Sequence, residues 1–250
     1  NGNSTFTFFT AQISTDNFAS VNVSTTTGAT SAAFTGLSAN TDYFLRVLAQ
    51  GYSTATAFVA MPTVTTLLLP PATAFATFTS VDVASITVVW ANGGNGPASV
   101  YEAQISTSAA FSTVNFTSMT LNLSVLYGVG GGGQSLSGNT TYYFQVRTTN
   151  GGSQSVYVGL GSTMTLAHPP VATSSAAAAG RTADVSWQAN GNPSATQYEV
   201  WRDTAAGFPA PVKAFASTTT YSASGLEPDT TYYFKVRAVN GGGVPSGFDS

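Results

Sequence analysis

A short motif that occurs three times constrains the fold of this chain more than any other feature. Leucine, threonine and tyrosine stand at the same spacing in Leu37-Ser-Ala-Asn-Thr-Asp-Tyr43, Leu136-Ser-Gly-Asn-Thr-Thr-Tyr142 and Leu226-Glu-Pro-Asp-Thr-Thr-Tyr232. After each tyrosine, apolar and polar residues alternate, most clearly from Tyr232 to Ala238. Alternation with a period of two predicts a β-strand with one buried and one wet face. The chain is therefore predicted to contain three copies of one β-structured unit.

A tryptophan marks an earlier strand in two of the copies. Trp90 and Trp187 each end a β-rich run and are followed by a turn cluster of Asn, Gly and Pro. The next strand begins 11 residues later in both copies, at Tyr101 and at Tyr198. The segment that begins at Phe9 is a third copy of this strand, without a tryptophan before it. The predicted structural core comprises Trp90, Trp187, Leu37, Tyr43, Leu136, Tyr142, Leu226 and Tyr232.

Two double prolines predict the boundaries between the copies. Pro70-Pro71 and Pro169-Pro170 each begin 33 residues after the leucine of the preceding motif. Paired prolines fix φ and remove backbone donors, which suits a stiff joint. The predicted units are residues 1–69, 70–168 and 169–250, and the second carries a Gly-rich insertion at residues 130–133.

These features together resemble the fibronectin type III family. The motif tyrosines lie 99 and 90 residues apart, the strands are short, and a tryptophan lies on an early strand of the second and third copies. The resemblance implies an all-β fold of three tandem fibronectin type III-like β-sandwich repeats in an elongated array. It also implies that each motif forms a tyrosine corner, in which the phenol bonds to the backbone upstream. Without cysteine, the Cys–Trp–Cys pattern of a true immunoglobulin domain is missing.

The first and last repeats depart from the family pattern. Alignment of Phe9 with Tyr198 indicates that residues 1–69 lack strands A and B, and residues 169–250 are expected to lack strand G. An uncovered face would leave Phe9, Leu45 and Val47 in water, together with Ile13 and Tyr43. Two explanations stay open: the chain is a window of a longer array, or another subunit donates the strands. The expected partner is therefore a neighbouring repeat or a second copy, through β-strand completion.

Composition argues against catalysis and against several kinds of ligand. Charged residues make up 7% of the chain and the net charge is -3, so nucleic acid is not an expected partner. The chain has no cysteine and one histidine, His168, beside a double proline, so no metal site, cofactor or catalytic triad is predicted. Glu102 with Arg147, and Glu199 with Arg237, are predicted cross-strand ion pairs. No apolar run is long enough for a transmembrane segment.

Two sets of surface residues are candidates for contact with sugars. In the fold that the resemblance implies, strand C begins at Tyr101 or Tyr198 and strand F at each motif tyrosine. Outward aromatic residues on these strands could stack on a glycan: Phe44, Tyr143, Trp201 and Tyr233. Five Asn-x-Ser/Thr sequons are candidate glycan acceptors: Asn3, Asn22, Asn115, Asn122 and Asn139.

The sequence thus predicts a non-catalytic structural or adhesive protein, a subunit or segment of a surface filament, sheath or adhesin. The alternative is a set of spacer or carbohydrate-binding modules of a larger secreted polysaccharide-degrading enzyme. Both predict a secreted protein, extracellular or at the cell surface, and the charge-poor, cysteine-free composition favours a bacterial source.

Overall fold

The computed structural model describes residues 7–128, 135–150, 152–177 and 180–249, with backbone alone for 173–177. The Gly-rich segment from Gly130 to Gly133 and the sequon at Asn3 lie outside the described residues. Every described secondary-structure element is a β-strand. No described helix has the length and apolarity to cross a membrane.

The first repeat contributes one four-stranded antiparallel sheet in the order β2-β1-β3-β4. Alternating apolar residues along β1 and β3 turn one face inward, with Ala11 opposite Val47 and Ile13 opposite Leu45. The described part of this repeat has no second sheet over that face. The strands are β1 (Phe8–Ser14), β2 (Val23–Thr27), β3 (Asp42–Gln50) and β4 (Val59–Thr65).

The middle repeat is a two-sheet sandwich. One sheet has the order β5-β6-β9 and the other β11-β10-β7-β8. Trp90 from β6 is 2% exposed and packs at 5.8 Å from the ring of Tyr101. The strands are β5 (Ala72–Val81), β6 (Ser85–Ala91), β7 (Val100–Ser106), β8 (Phe116–Thr120), β9 (Ser124–Gly128), β10 (Thr141–Thr149) and β11 (Val158–Met164).

The third repeat has the same two sheets, in the orders β12-β13-β16 and β15-β14-β17-β18. Trp187 from β13 packs edge-on against Tyr198, with ring centroids 5.2 Å apart, at the place where Trp90 packs in a tilted arrangement against Tyr101. The strands are β12 (Val171–Ala177), β13 (Thr182–Gln188), β14 (Gln197–Asp203), β15 (Val212–Ala216), β16 (Thr220–Ser224), β17 (Tyr233–Val239) and β18 (Pro245–Phe248).

The expectation that the third repeat lacks strand G is wrong. The short strand β18 pairs with β17, where β11 pairs with β10 in the middle repeat. It spans four residues, whereas β11 spans seven. It also contains Pro245 and Gly247, residues that are typical of loops, so the sequence does not predict a strand there. Its register with β17 runs only from Val239 to Arg237, so the start of β17 pairs with β14 on one side and, among the described residues, with no strand on the side of β18.

Tyrosine corners are present in all three repeats. The hydroxyl oxygen of the motif tyrosine accepts a backbone N–H five residues upstream: Ser38 to Tyr43 at 3.1 Å, Ser137 to Tyr142 at 3.0 Å, and Glu227 to Tyr232 at 3.0 Å. Tyr43 and Tyr142 are buried, at 5% and 4% exposure.

Two predicted core residues are only half-buried. Tyr232 precedes the first residue of β17 and borders a cleft of about 410 Å³ that residues of both sheets line. Leu37 is half-buried, and the described part of the first repeat has no second sheet over it. The expectation that Ile13 and Tyr43 would face water is also wrong. They are 1% and 5% exposed, and only Phe9, Leu45 and Val47 are left partly open.

Candidate functional site: the inter-repeat junctions

Two asparagines hold the linkers between repeats. The side-chain oxygen of Asn95 accepts the backbone N–H of Leu69 at 2.9 Å, and its Nδ2 donates to the carbonyl of the same residue at 2.8 Å. Asn192 makes the same pair with His168, at 2.8 Å in both directions. Leu69 and His168 each directly precede a double proline. One amide side chain thus replaces a strand partner for the residue that enters each new repeat.

Both asparagines are nearly enclosed. Asn95 is 3% exposed and Asn192 is 7% exposed, and each Nδ2 also donates to a carbonyl three residues earlier in its own turn. In the first junction, Thr148 adds a bond from its hydroxyl to the Leu69 carbonyl at 2.9 Å. A buried amide with every polar atom bonded fixes the linker in one geometry, since any shift would leave a buried donor or acceptor unpaired.

A second asparagine reaches across each junction from the repeat before it. Nδ2 of Asn40 donates to the hydroxyl of Ser99 at 3.0 Å, and Nδ2 of Asn139 donates to the hydroxyl of Thr196 at 2.8 Å. Both asparagines have positive φ, at 47°, which this residue type tolerates better than most. Their side-chain oxygens also accept hydrogen bonds from the following repeat. Oδ1 of Asn40 accepts from Nδ2 of Asn150 at 3.2 Å, and Oδ1 of Asn139 accepts from the backbone N–H of Gly241 at 2.9 Å.

The two junctions are therefore built from equivalent residues. Asn95 and Asn192 each follow the core tryptophan by five residues, and Asn40 and Asn139 each precede the corner tyrosine by three. In the sequence, Asn95 and Asn192 have the appearance of ordinary turn residues, and Asn40 and Asn139 stand inside the corner motif. The constant spacing of Asn95 and Asn192 from the tryptophan is the sequence signal that distinguishes these two from the other asparagines. The double prolines alone indicated the joint but not what fixes it.

The predicted ion pairs form between strands C and F, which are β7 and β10 in the middle repeat and β14 and β17 in the third. Arg147 donates to Glu102 through Nε at 2.8 Å, and Arg237 donates to Glu199 at 2.6 Å. Glu102 also accepts the hydroxyl of Tyr157 at 2.6 Å. Burial raises the pKa of Glu102, but the bonds from Tyr157 and Arg147 outweigh it, so the pKa lies below its ordinary value. These carboxylates are occupied structural groups, and the described residues hold no cluster of three or more potential metal ligands.

The candidate sugar-stacking residues are spread over three repeats. Phe44, Tyr143 and Tyr233 take equivalent places at the start of β3, β10 and β17, so only Trp201 and Tyr233 share a sheet. Trp201 has its ring 4.8 Å from Phe248, and the Nζ atoms of Lys213 and Lys235 lie 4.3 and 4.5 Å from its centroid. The two lysines and Phe248 thus already contact the Trp201 ring on which a sugar would have to stack.

The candidate glycan acceptors divide by their surroundings. Asn22, Asn115 and Asn122 are exposed. Asn22 and Asn115 each accept a backbone N–H at 2.7 Å through the side-chain oxygen, from Thr15 and Thr107. Asn139 does not suit this role, because the Nδ2 that would carry the glycan donates to Thr196 inside a junction. We therefore withdraw Asn139 from the candidates.

Comparison with known proteins finds a family match to the third repeat and similar solved structures. Residues 168–247 match the family model of the fibronectin type III domain. No curated protein matches the sequence. Among solved structures, the chain is similar to the crystal structure of the chicken CNTN1 FN1–FN3 domains, at 17% identity over 96% of this chain and 86% of that one, with a TM-score of 0.34. It is also similar to a segment of two fibronectin type III domains from chicken tenascin, at 14% identity over 72% of this chain and 96% of that one, with a TM-score of 0.48.

The other two repeats share structural features with the segment that the family model matches. The middle repeat has the sheet orders, the packed tryptophan and the tyrosine corner of the matched third repeat. The first repeat has the same corner and the same C–F strand pair. Residues 168–247 thus match the fibronectin type III domain, and the strands of the chain as a whole fit an all-β array of tandem fibronectin type III-like repeats.

Proposed function

We propose that this chain is a non-catalytic structural or adhesive component of an extracellular assembly, such as a surface filament, sheath or adhesin. The observation that carries the proposal is the junction that occurs twice with equivalent residues. When the same contacts fix each pair of neighbours, successive repeats keep a constant relative orientation, as a spacer or filament segment needs. Proteins with fibronectin type III domains are commonly extracellular or surface-exposed, which supports the proposed secretion.

The surface chemistry is consistent with close packing against other molecules. Only 7% of residues are charged, and two glutamates and two arginines are used in pairs within the C–F face. A surface of hydroxyls and amides has little long-range repulsion between copies. In the proposal, glycans on the exposed Asn22, Asn115 and Asn122 would add the solubility that charge does not provide. A bacterial source is part of the same proposal and rests on composition.

Small-angle X-ray scattering tests whether the junctions make the chain stiff. The protein is compared with the double variant Asn95→Ala/Asn192→Ala, which removes the side chains that hold Leu69 and His168. We expect the unchanged protein to fit one rigid arrangement and the double variant to need an ensemble of bent ones. Asn122→Ala is the matched control, since Asn122 is an exposed asparagine outside the junctions. If the unchanged protein already required a broad ensemble, the proposed role as a stiff spacer would fail.

Electron microscopy and sedimentation at increasing concentration test assembly. The proposal predicts ordered polymers or ordered lateral arrays of the purified protein. An enzyme assay on polysaccharide and peptide substrates is the complement, and turnover that a single substitution abolishes would contradict a non-catalytic role.

A further inference from the structure

The two junctions differ at the residue directly before the asparagine that reaches across. This residue is Ala39 at the first junction and Gly138 at the second, and both are buried. A Cβ atom on Gly138 would lie 2.7 Å from Cδ2 of His168 and 3.3 Å from the carbonyl oxygen of Leu166. The first distance is well below the roughly 3.5–4.0 Å at which carbon atoms pack. The lack of a side chain at position 138 therefore makes room for the imidazole ring of the linker.

The linker residue leans a different way at each junction. Leu69 and His168 hold equivalent places, each with its backbone bonded to a junction asparagine. Cδ1 of Leu69 lies 3.6 Å from the position that a Cβ on Gly94 would take, and Gly94 belongs to the repeat that follows. Gly191 is the equivalent of Gly94, and a Cβ there would have no neighbour within 4 Å. The side chain of Leu69 therefore packs on the following repeat, whereas that of His168 packs on the preceding one.

Backbone hydrogen bonds join the two repeats directly at the first junction. The N–H of Ala39 donates to the carbonyl of Gly94 at 3.1 Å, and the N–H of Gly96 donates to the carbonyl of Ala39 at 2.8 Å. The equivalent of Gly96 is Pro193, which has no N–H, so the second of these bonds cannot form at the second junction. A Cβ on Gly96 would also lie 2.5 Å from Oγ1 of Thr41. The close approach at the first junction thus needs glycine where the third repeat has proline.

The turns that carry Gly96 and Pro193 otherwise have the same backbone bonds. The carbonyl of Gly96 accepts the N–H of Ser99 at 3.1 Å, and the carbonyl of Pro193 accepts the N–H of Thr196 at 3.0 Å. The turn accommodates proline in the third repeat without losing this bond. The difference between glycine and proline therefore acts on the contact with the preceding repeat and not on the fold of the turn.

We propose that the junction surfaces are selective: the end of the first repeat accepts the start of the middle repeat and rejects that of the third. Joined to the first repeat, the third would bring His168 against the methyl group of Ala39 and Pro193 against Oγ1 of Thr41. It would also offer no N–H to the carbonyl of Ala39. The middle repeat has Gly138 in that place and accepts the imidazole. Groups that fit one neighbour and clash with another give specificity. These residue pairs therefore fix the order of the repeats, whatever the array assembles with.

A double-mutant cycle in the full chain tests the pair at the second junction. The readout is the protection factor of the backbone amide at position 168, measured by hydrogen exchange with NMR detection. Gly138→Ala should lower it about tenfold, because the added methyl group displaces the ring and the linker with it. His168→Leu should change it about twofold at most, and in the double variant it should cancel most of the effect of the alanine. Gly159→Ala is the matched control, since a Cβ there meets open space.

Gly96→Pro gives the first junction the residue of the second. The protection factor of the Ala39 amide, which donates to Gly94 across the junction, should fall about tenfold as the turn moves away. Core amides of β6 should keep their protection, because the same turn accepts Pro193 in the third repeat. Unchanged protection of Ala39, or equal effects of Gly138→Ala with and without His168→Leu, would overturn the proposal. Scattering of the unchanged protein tests the stiff-spacer role separately, so the two failures are distinguishable.

Discussion

The three tyrosine corners allow one hydrogen bond to be compared in two environments. Tyr142→Phe removes the acceptor of the Ser137 amide but leaves a ring that is 4% exposed in the native protein. That amide lies in a partly buried turn, so its loss of a partner should cost about 1–2 kcal/mol of unfolding free energy. Tyr232→Phe removes the same bond from the Glu227 amide, but that bond is exposed and Tyr232 is half-buried. Water can replace the phenol there, and we expect about 0.5 kcal/mol.

Hydrogen exchange measured on the full chain by mass spectrometry separates the two repeats. For Tyr142→Phe, core amides of β10 should exchange about tenfold faster, because 1.4 kcal/mol corresponds to a factor of ten. For Tyr232→Phe, core amides of β17 should exchange about twofold faster. Exchange in the repeat that is not mutated serves as the internal control. Equal acceleration in both, or a larger effect at Tyr232, would refute the argument that burial sets the worth of the corner bond.

Three further outcomes are expected. Trp187→Ala should lower the stability of the third repeat by about 3–5 kcal/mol, the usual cost of deleting a buried aromatic residue, and an unchanged thermal transition would contradict the core assignment. Glu102→Gln should make stability less dependent on pH. Because the folded pKa of Glu102 lies below its ordinary value of 4.5, its contribution is present above that value and lost as the pH falls through the folded pKa, so equal acid titrations of both proteins would argue against it. Purified protein should show no hydrolase, transferase or redox activity, checked by turnover assays.

The sequence predicted the parts of the fold that depend on local periodicity. The alternation of apolar and polar residues after Tyr142 is a property of one strand, and so is the tryptophan at the end of β6. Both features are therefore visible in the sequence itself. The role of Asn95 could not be predicted in the same way. Its partners are the backbone groups of Leu69, 26 residues earlier, and a contact between an amide and a distant backbone leaves no periodic trace.

Two other differences have a common physical cause, since strands depend on their partners as well as on their own residues. β18 forms from a segment with Pro245 and Gly247 because the edge of β17 provides the bonds. Residues 31–35 have strand-like spacing but form no ladder, because the strand that pairs with the same place in the third repeat has no counterpart in the described first repeat. Judged by the β-propensity of their residues alone, residues 31–35 would be predicted as a strand more readily than the segment with Pro245 and Gly247.

The junctions also explain how a chain so poor in charge can hold its repeats in register. Their described side-chain bonds join amides, hydroxyls and backbone groups, and none joins two charged residues. Salt screens interactions between charges, with a Debye length of about 3 Å at 1 M, but leaves neutral hydrogen bonds in enclosed sites nearly untouched. The stiffness of the array should therefore be the same in dilute buffer and in 1 M salt. Scattering curves that broadened with salt would mean that charged contacts, and not Asn95 and Asn192, hold the repeats together.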